Sequence, residues 1–151
     1  MQQRELSLLC RVGDLLCAVP LEHVEETMRP LAAEPISGVP GFIRGLTVVR
    51  GTPIPVVDAG LLLSGVASHP TRFVTVKAGT RRVALAVDAV VGIVKIPSGS
   101  LETLPPLFQE ADVDVISAIG TLDAELLLVL RATRLISDEC WAVLESRCAL
   151  A

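Results

Sequence analysis

Tyrosine is absent, and three phenylalanines and one tryptophan supply all the aromatic surface. With no stacking series, and with a net charge of −4 on scattered residues, nothing supports nucleic-acid binding. No apolar run approaches the roughly 20 residues that span a bilayer, so direct membrane insertion is not expected. The opening MQQRELSLLCRVGD has no basic region followed by a long apolar one; no secretory signal is expected, and a cytoplasmic protein is the default. The four cysteines, Cys10, Cys17, Cys140 and Cys148, lack CxxC spacing, which argues against zinc and against a disulfide framework. Cys10 and Cys17 lie in apolar runs and read as buried small hydrophobes. The nucleophile elbow GxSxG, the zinc motif HExxH, the dinucleotide motif GxGxxG and the P-loop are all missing. His23 has no second ligand four residues on, and His69 has no nucleophile partner. No metal and no cofactor is expected.

The 151 residues suit one domain, built of up to two lobes. Hydrophobic residues make up 51% and charged residues 20%, a composition that buries a core. Leu6 to Val12 and Leu15 to Pro20 flank Gly13-Asp14, a hairpin signal. Leu21 to Met28 reads as a short helical turn or an irregular extension, with Leu21, Val24 and Met28 at helical spacing. Arg29 to Pro40 is a proline-rich connector. Arg72 to Lys77 and Arg82 to Val87 form a second hairpin around Ala78-Gly79-Thr80. Val90 to Ile96 is apolar, and Leu101 to Glu110 is a loop. Val113 to Leu122 and Leu126 to Leu130 suggest a third hairpin around Asp123-Ala124-Glu125. Ala132 to Ile136 fits one helical turn, and a C-terminal helix is expected over 137–149, opened by Ser137 and acidic residues. Trp141, Leu144 and Cys148 make its packing stripe.

Phe42 to Asp58, FIRGLTVVRGTPIPVVD, organises the chain. β-branched residues favour two strands around Arg50-Gly51-Thr52-Pro53. Pro53 and Pro55 lack N–H groups, which predicts an edge strand or a bulge. Asp58 is placed to cap a short helix, Ala59 to Leu63. Asp58 and Asp88 each follow a strand; a carboxylate pair for catalysis and a pair of caps are the two readings, and capping accounts for both. The hairpins and turn signals point to a mostly β protein of small barrels or a sandwich. Few reactive groups point to an interaction module rather than an enzyme.

GLTVVRGTPIPVVD resembles the signature of the CheW-like family at Gly45, Arg50, Gly51, Ile54, Pro55, Val56 and Asp58. VPGFIRG is similar to its lead-in. Gly13, Ala18 to Leu21, Val24 and Glu26 resemble its first hairpin and Val-x-Glu segment. LAVDAVVGIVKI matches at Val87, Asp88, Val90 and Ile93, and IGTLDAELLLVL is similar to its closing strand pair. The resemblance covers about residues 6 to 146.

It implies two small five-stranded SH3-like β-barrels packed side by side, with short helices and a C-terminal helix. It also implies a non-catalytic adaptor that couples methyl-accepting chemoreceptors to a CheA-type histidine kinase. One barrel would dock on the kinase regulatory domain, and a groove would take the receptor signalling tip. Carried over residue by residue, the receptor groove involves Val24, Glu26, Gly45, Arg50 and Ile93. Val24 and Ile93 offer apolar area to an amphipathic helix. Gly45 permits close approach, and Arg50 contacts the receptor or braces the groove through a carboxylate such as Asp58. An exposed turn at Thr52, Pro53 and Ile54 is the candidate kinase-facing patch. Three positions depart from the family: Val48 stands for the usual Asn, Arg131 for the usual Asp, and Arg72 at an often apolar strand start. They motivate an alternative, a divergent adaptor that binds one partner only and modulates signalling.

Overall fold

The computed structural model describes residues 6–67, 69–96 and 115–150, with side chains as far as Arg147. Ten strands make two five-stranded sheets. They are β1 (Leu6–Val12), β2 (Leu15–Pro20), β3 (Val24–Met28), β4 (Ile43–Val49), β5 (Thr52–Asp58), β6 (Arg72–Ala78), β7 (Arg81–Val87), β8 (Ala89–Lys95), β9 (Ile116–Leu122) and β10 (Glu125–Leu130). The first sheet runs β8-β1-β2-β10-β9 and the second β3-β6-β7-β5-β4. Helix α1 is Ala59–Ser64 and α2 is Asp138–Leu150. The mostly β, two-lobed architecture agrees with the sequence, although the pairings of the described residues leave each sheet open instead of closing a barrel.

The two sheets share one internal plan. Each holds a hairpin (β1–β2 or β6–β7), a strand antiparallel to its outer side (β8 or β3), and a parallel pairing from its inner side (β10 or β5). The outer strands are exchanged. β3 follows the first sheet's hairpin but joins the second sheet, and β8 follows the second sheet's hairpin but joins the first.

Most strands are buried on both faces, which explains the near-continuous apolar runs. One face of the first sheet lies on its own small core of Leu9, Leu16, Ala18, Leu127 and Val129. The second sheet has its own core of Ile54, Val56, Phe73, Ala84 and Ala86. The opposite faces meet in a shared core that includes Leu8, Cys10, Cys17, Val57, Val74 and Leu85. Trp141 and Leu144 of α2 join that core, as the packing stripe predicts; the side chain of Cys148 lies outside the described residues. Ser137 opens α2, its hydroxyl accepting from the Cys140 N–H at 3.2 Å.

Cys10 and Cys17 are buried, and they stand directly opposite each other on β1 and β2. Burial pushes both thiols from 9.0 up to about 12. Above pH 9 the unfolded chain releases these protons while the folded chain keeps them, so stability falls as pH rises through this window. Urea midpoints between pH 9 and 12 are expected to drop steadily in the wild type and less steeply in the Cys10→Ala/Cys17→Ala double variant. Equal slopes would contradict the burial of the pair.

Several expectations need correction. Leu21–Met28 is not a helical turn: only Leu21–His23 is a short 3-10 helix, and Val24–Met28 is strand β3, with a bulge between Val24 and Glu26. β5 is not an edge; it lies between β7 and β4. Its ladder to β7 covers only Val56, Val57 and Asp58. In the two-residue β4–β5 hairpin, alternation turns the donorless nitrogens of Pro53 and Pro55 to the β7 side, where no ladder forms. The third hairpin turns on two residues, Asp123-Ala124, both with positive φ; Glu125 belongs to β10 and pairs in fork geometry with Arg11, at 2.6 and 3.2 Å. The expected loop over Leu101 to Glu110 lies outside the described residues.

Candidate functional site

Arg50 and Gly51 form the β4–β5 turn, closed by the pair Val49–Thr52. Both have positive φ, +52° and +81°, the conformation that two-residue hairpins require. Gly51 adopts it without steric cost. Arg50, with a Cβ, carries strain of about 1–2 kcal/mol. The strained backbone sends the side chain out, 74% exposed, to donate to Glu26 Oε2 at 2.7 Å. Glu26 itself is pinned at the β3 bulge: its N–H donates to the buried Thr75 hydroxyl at 3.1 Å, and that hydroxyl donates to the Glu26 carbonyl at 3.2 Å. Beside it, Glu25 accepts from Arg82 at 3.0 Å. The result is a shallow charged depression, walled by two acidic residues of β3 and by Arg50 and Arg82.

The structure therefore brings Glu26 and Arg50 together. Arg50 braces against Glu26, not Asp58. Asp58 is fully buried; it caps α1 by accepting from the Leu61 N–H at 3.1 Å and is paired with Arg44 at 2.5 Å. Val24 lies on the same strand as Glu26, half-buried against the shared core. Ile93 sits on the other sheet's outer strand, 58% exposed, with Val91 beside it at 56%. Ala89, Val91, Ile93 and Lys95 are the exposed residues of β8, and the ladder to β1 skips Val91 at a bulge; Val91 is the exposed apolar neighbour that sequence reasoning missed.

Gly45 is buried with φ +140°. The close approach it allows is by the chain itself: an added Cβ would lie 2.0 Å from the Glu34 carbonyl oxygen. In the candidate kinase patch, Thr52 and Pro53 are exposed. Ile54 is 2% exposed, in the second sheet's core. Thr52 closes the turn at the strand end, whereas Ile54, two residues on along the same face, has entered the cluster of Phe73, Ala84 and Ala86, so the expected exposed turn loses its third member.

Asp88, unlike Asp58, is not a helix cap, because strand β8 follows it. Its N–H donates to the Arg11 carbonyl at 3.0 Å, and its Oδ2 accepts from the Gly13 N–H at 2.5 Å. It thus ties the β1–β2 turn to the end of β7. With Asp58 buried in an ion pair and Asp88 engaged at this joint, both carboxylates have roles within the fold. Among the described residues, no group of three or more His, Cys, Asp or Glu is placed to hold a metal ion. No helix among them is long and apolar enough to cross a membrane.

The description "CheW-like domain" matches residues 7–140, a span holding both sheets and the Glu26–Arg50 pair. The chain belongs to the CheW-like family. Protein FrzA of Myxococcus xanthus is 34% identical over 125 residues, 78% of each chain. The chemotaxis protein CheW of Rhizobium meliloti (strain 1021) is 33% identical over 107 residues, 69% of this chain and 68% of that one. The crystal structure of the scaffolding protein TtCheW from Thermoanaerobacter tengcongensis superposes with a TM-score of 0.79 at 22% identity, covering 89% of this chain and 88% of that one. The CheW-like fold here is thus seen in both the sequence and the strand arrangement.

Proposed function

We propose that this protein is a non-catalytic adaptor that couples methyl-accepting chemoreceptors to the regulatory domain of a CheA-type histidine kinase. Family membership supports the role, and the Arg50 turn carries the site. A strained, exposed arginine anchored by a glutamate from another strand is costly to build for stability alone, because exposed ion pairs contribute about 1 kcal/mol at most. Such strain is typical of surfaces shaped for contact. Glu26, Arg50 and the adjacent Val24 form one part of the receptor-facing surface, and Ile93 with Val91 forms an apolar part suited to an amphipathic helix. Gly45 contributes by holding the connector against β4. The kinase-facing patch reduces to Thr52 and Pro53, with Ile54 beneath them.

The test is binding of the purified protein to a receptor signalling-tip fragment. Arg50→Glu places two carboxylates together and is expected to weaken binding at least ~10-fold through like-charge repulsion. Adding Glu26→Arg restores the pair with reversed polarity. Recovery of binding in the double variant assigns Arg50 to bracing; continued loss assigns it to direct receptor contact. Wild-type binding by Arg50→Glu would remove this surface from the receptor site.

A second reading, an adaptor with one partner only, has one observation behind it: Val48, in place of the family's usual polar residue, is 63% exposed beside the kinase-facing turn. Kinase activation in a mixture of receptor, kinase and this protein separates the two readings, since a single-partner protein binds without activating.

A further inference from the structure

Where β5 parts from β7, a cleft of about 470 Å³ opens toward α2. Pro53 and Leu46 form one wall, Trp141 of α2 another, and Lys77, Arg81 and Arg82 of the β6–β7 hairpin a third. We propose that this cleft docks an acidic segment of a partner protein, with an apolar side chain seated between Pro53 and Trp141 and a carboxylate on Lys77. The inference deepens the kinase-facing reading, since Pro53 belongs to both, and gives that face a ligand chemistry.

The cleft is lined by Lys77, Arg81, Arg82 and one carboxylate, Glu145; from outside the lining Asp138 also pairs with Arg81, at 3.5 Å, so the cation open to an incoming carboxylate is Lys77. Lys77 and Arg82 stand directly opposite each other on β6 and β7, and like charges so placed repel. The fold supplies Glu25 to Arg82 at 3.0 Å, and Glu145 to Arg81 at 2.9 Å. Lys77 receives no ion-pair partner from the described residues. An incoming carboxylate would complete the set.

The apolar wall is also prepared. The Arg81 guanidinium lies 5.0 Å from the Trp141 ring centroid, a cation–π contact that holds both in place. Leu46 continues along the same face of β4 to Val48, which is 63% exposed. The opening exists because Pro53 and Pro55 cannot extend the ladder to β7, so local sequence chemistry produces the cleft.

Trp141 is the single tryptophan and tyrosine is absent, so all indole emission comes from a residue that lines this cleft. The experiment titrates the full chain at low salt with the blocked peptide Glu-Asp-Leu-Phe-Asp-Glu and with its charge-inverted form Lys-Arg-Leu-Phe-Arg-Lys. A saturable emission change with the acidic peptide is expected, at least ~10-fold weaker for Lys77→Glu and intermediate for Lys77→Gln, and lost at high salt. No saturable change up to millimolar peptide, or an equal response to the inverted peptide, overturns the proposal. If the acidic peptide gives no change while kinase regulatory domain still binds, the cleft inference fails and the adaptor reading stands.

Discussion

Gly45→Ala is expected to lower stability by about 3 kcal/mol or more, among the larger losses a single methyl can cause. Two independent costs combine. The backbone at Gly45 sits at φ +140°, a region essentially restricted to glycine. The added Cβ would lie 2.0 Å from the Glu34 oxygen, 2.5 Å from its carbon and 2.9 Å from the Pro35 nitrogen. These are backbone atoms and cannot swing aside as a flexible side chain does. They are also fastened: Glu34 N–H donates to the Leu46 carbonyl at 2.8 Å, and Leu46 N–H donates to the Glu34 carbonyl at 2.9 Å. Relieving the clash requires breaking this two-bond bridge and releasing the connector from β4. A urea midpoint unchanged from wild type would mean that the bridge is not present in solution. The expectation also bears on function, because any loss of receptor binding in a Gly45 variant must first be corrected for unfolding.

Arg44→Met is expected to cost about 3 kcal/mol, more than Asp58→Asn, although both break the same ion pair. The asymmetry follows from burial. The Arg44 side chain is 45% exposed and the Asp58 side chain 1%. A guanidinium without its carboxylate turns to water, whereas the Asp58 carboxylate, still accepting from the Leu61 N–H, stays in the interior with less to offset its desolvation. Asp58→Asn also retains an oxygen to accept from the Leu61 N–H and so preserves most of the cap. Met keeps the length of the arginine stem, so lost packing is a small part of the effect. In a double-mutant cycle, Asp58→Asn added to Arg44→Met is expected to recover stability. Equal costs for the two single variants would show that the carboxylate is not held in the interior.

Three of the hairpins were legible because glycine at a turn is a local signal: Gly13, Gly51 and Gly79 each mark one. The Asp58 cap was legible for the same reason, since its partner lies three residues away. β3 was hidden by its bulge. Exposure alternates from Val24 to Met28, but the extra residue at Glu25 sets Val24 against the shared core and Met28 against the second sheet's own core, and Glu26 between them is held by Arg50. That partner is 24 residues distant, and no local pattern encodes it. The prolines of β5 were read as donorless and as marking an edge strand or a bulge; β5 lies between β7 and β4, and a strand can be internal over half its length and open over the rest. The burial of Ile54 was missed because the core it enters is built by Phe73 of β6 and Ala84 and Ala86 of β7, which no pattern local to the turn announces.

The exchange of β3 and β8 between the sheets orders events during synthesis. The second sheet is complete in one stretch of sequence, from Val24 to Val87. The first sheet is assembled from both ends of the chain: β2 waits for β10 to provide its parallel neighbour at Leu127, Leu128 and Val129. A chain leaving the ribosome therefore presents the β1–β2 hairpin, with Leu9 and Leu16 uncovered, while all five strands of the second sheet have already been made. Pairings so far apart in sequence slow folding and prolong exposure of apolar strand. Holdase chaperones are thus expected to engage the β1–β2 hairpin, Leu6 to Pro20, and no cut between the sheets yields two separately folding halves.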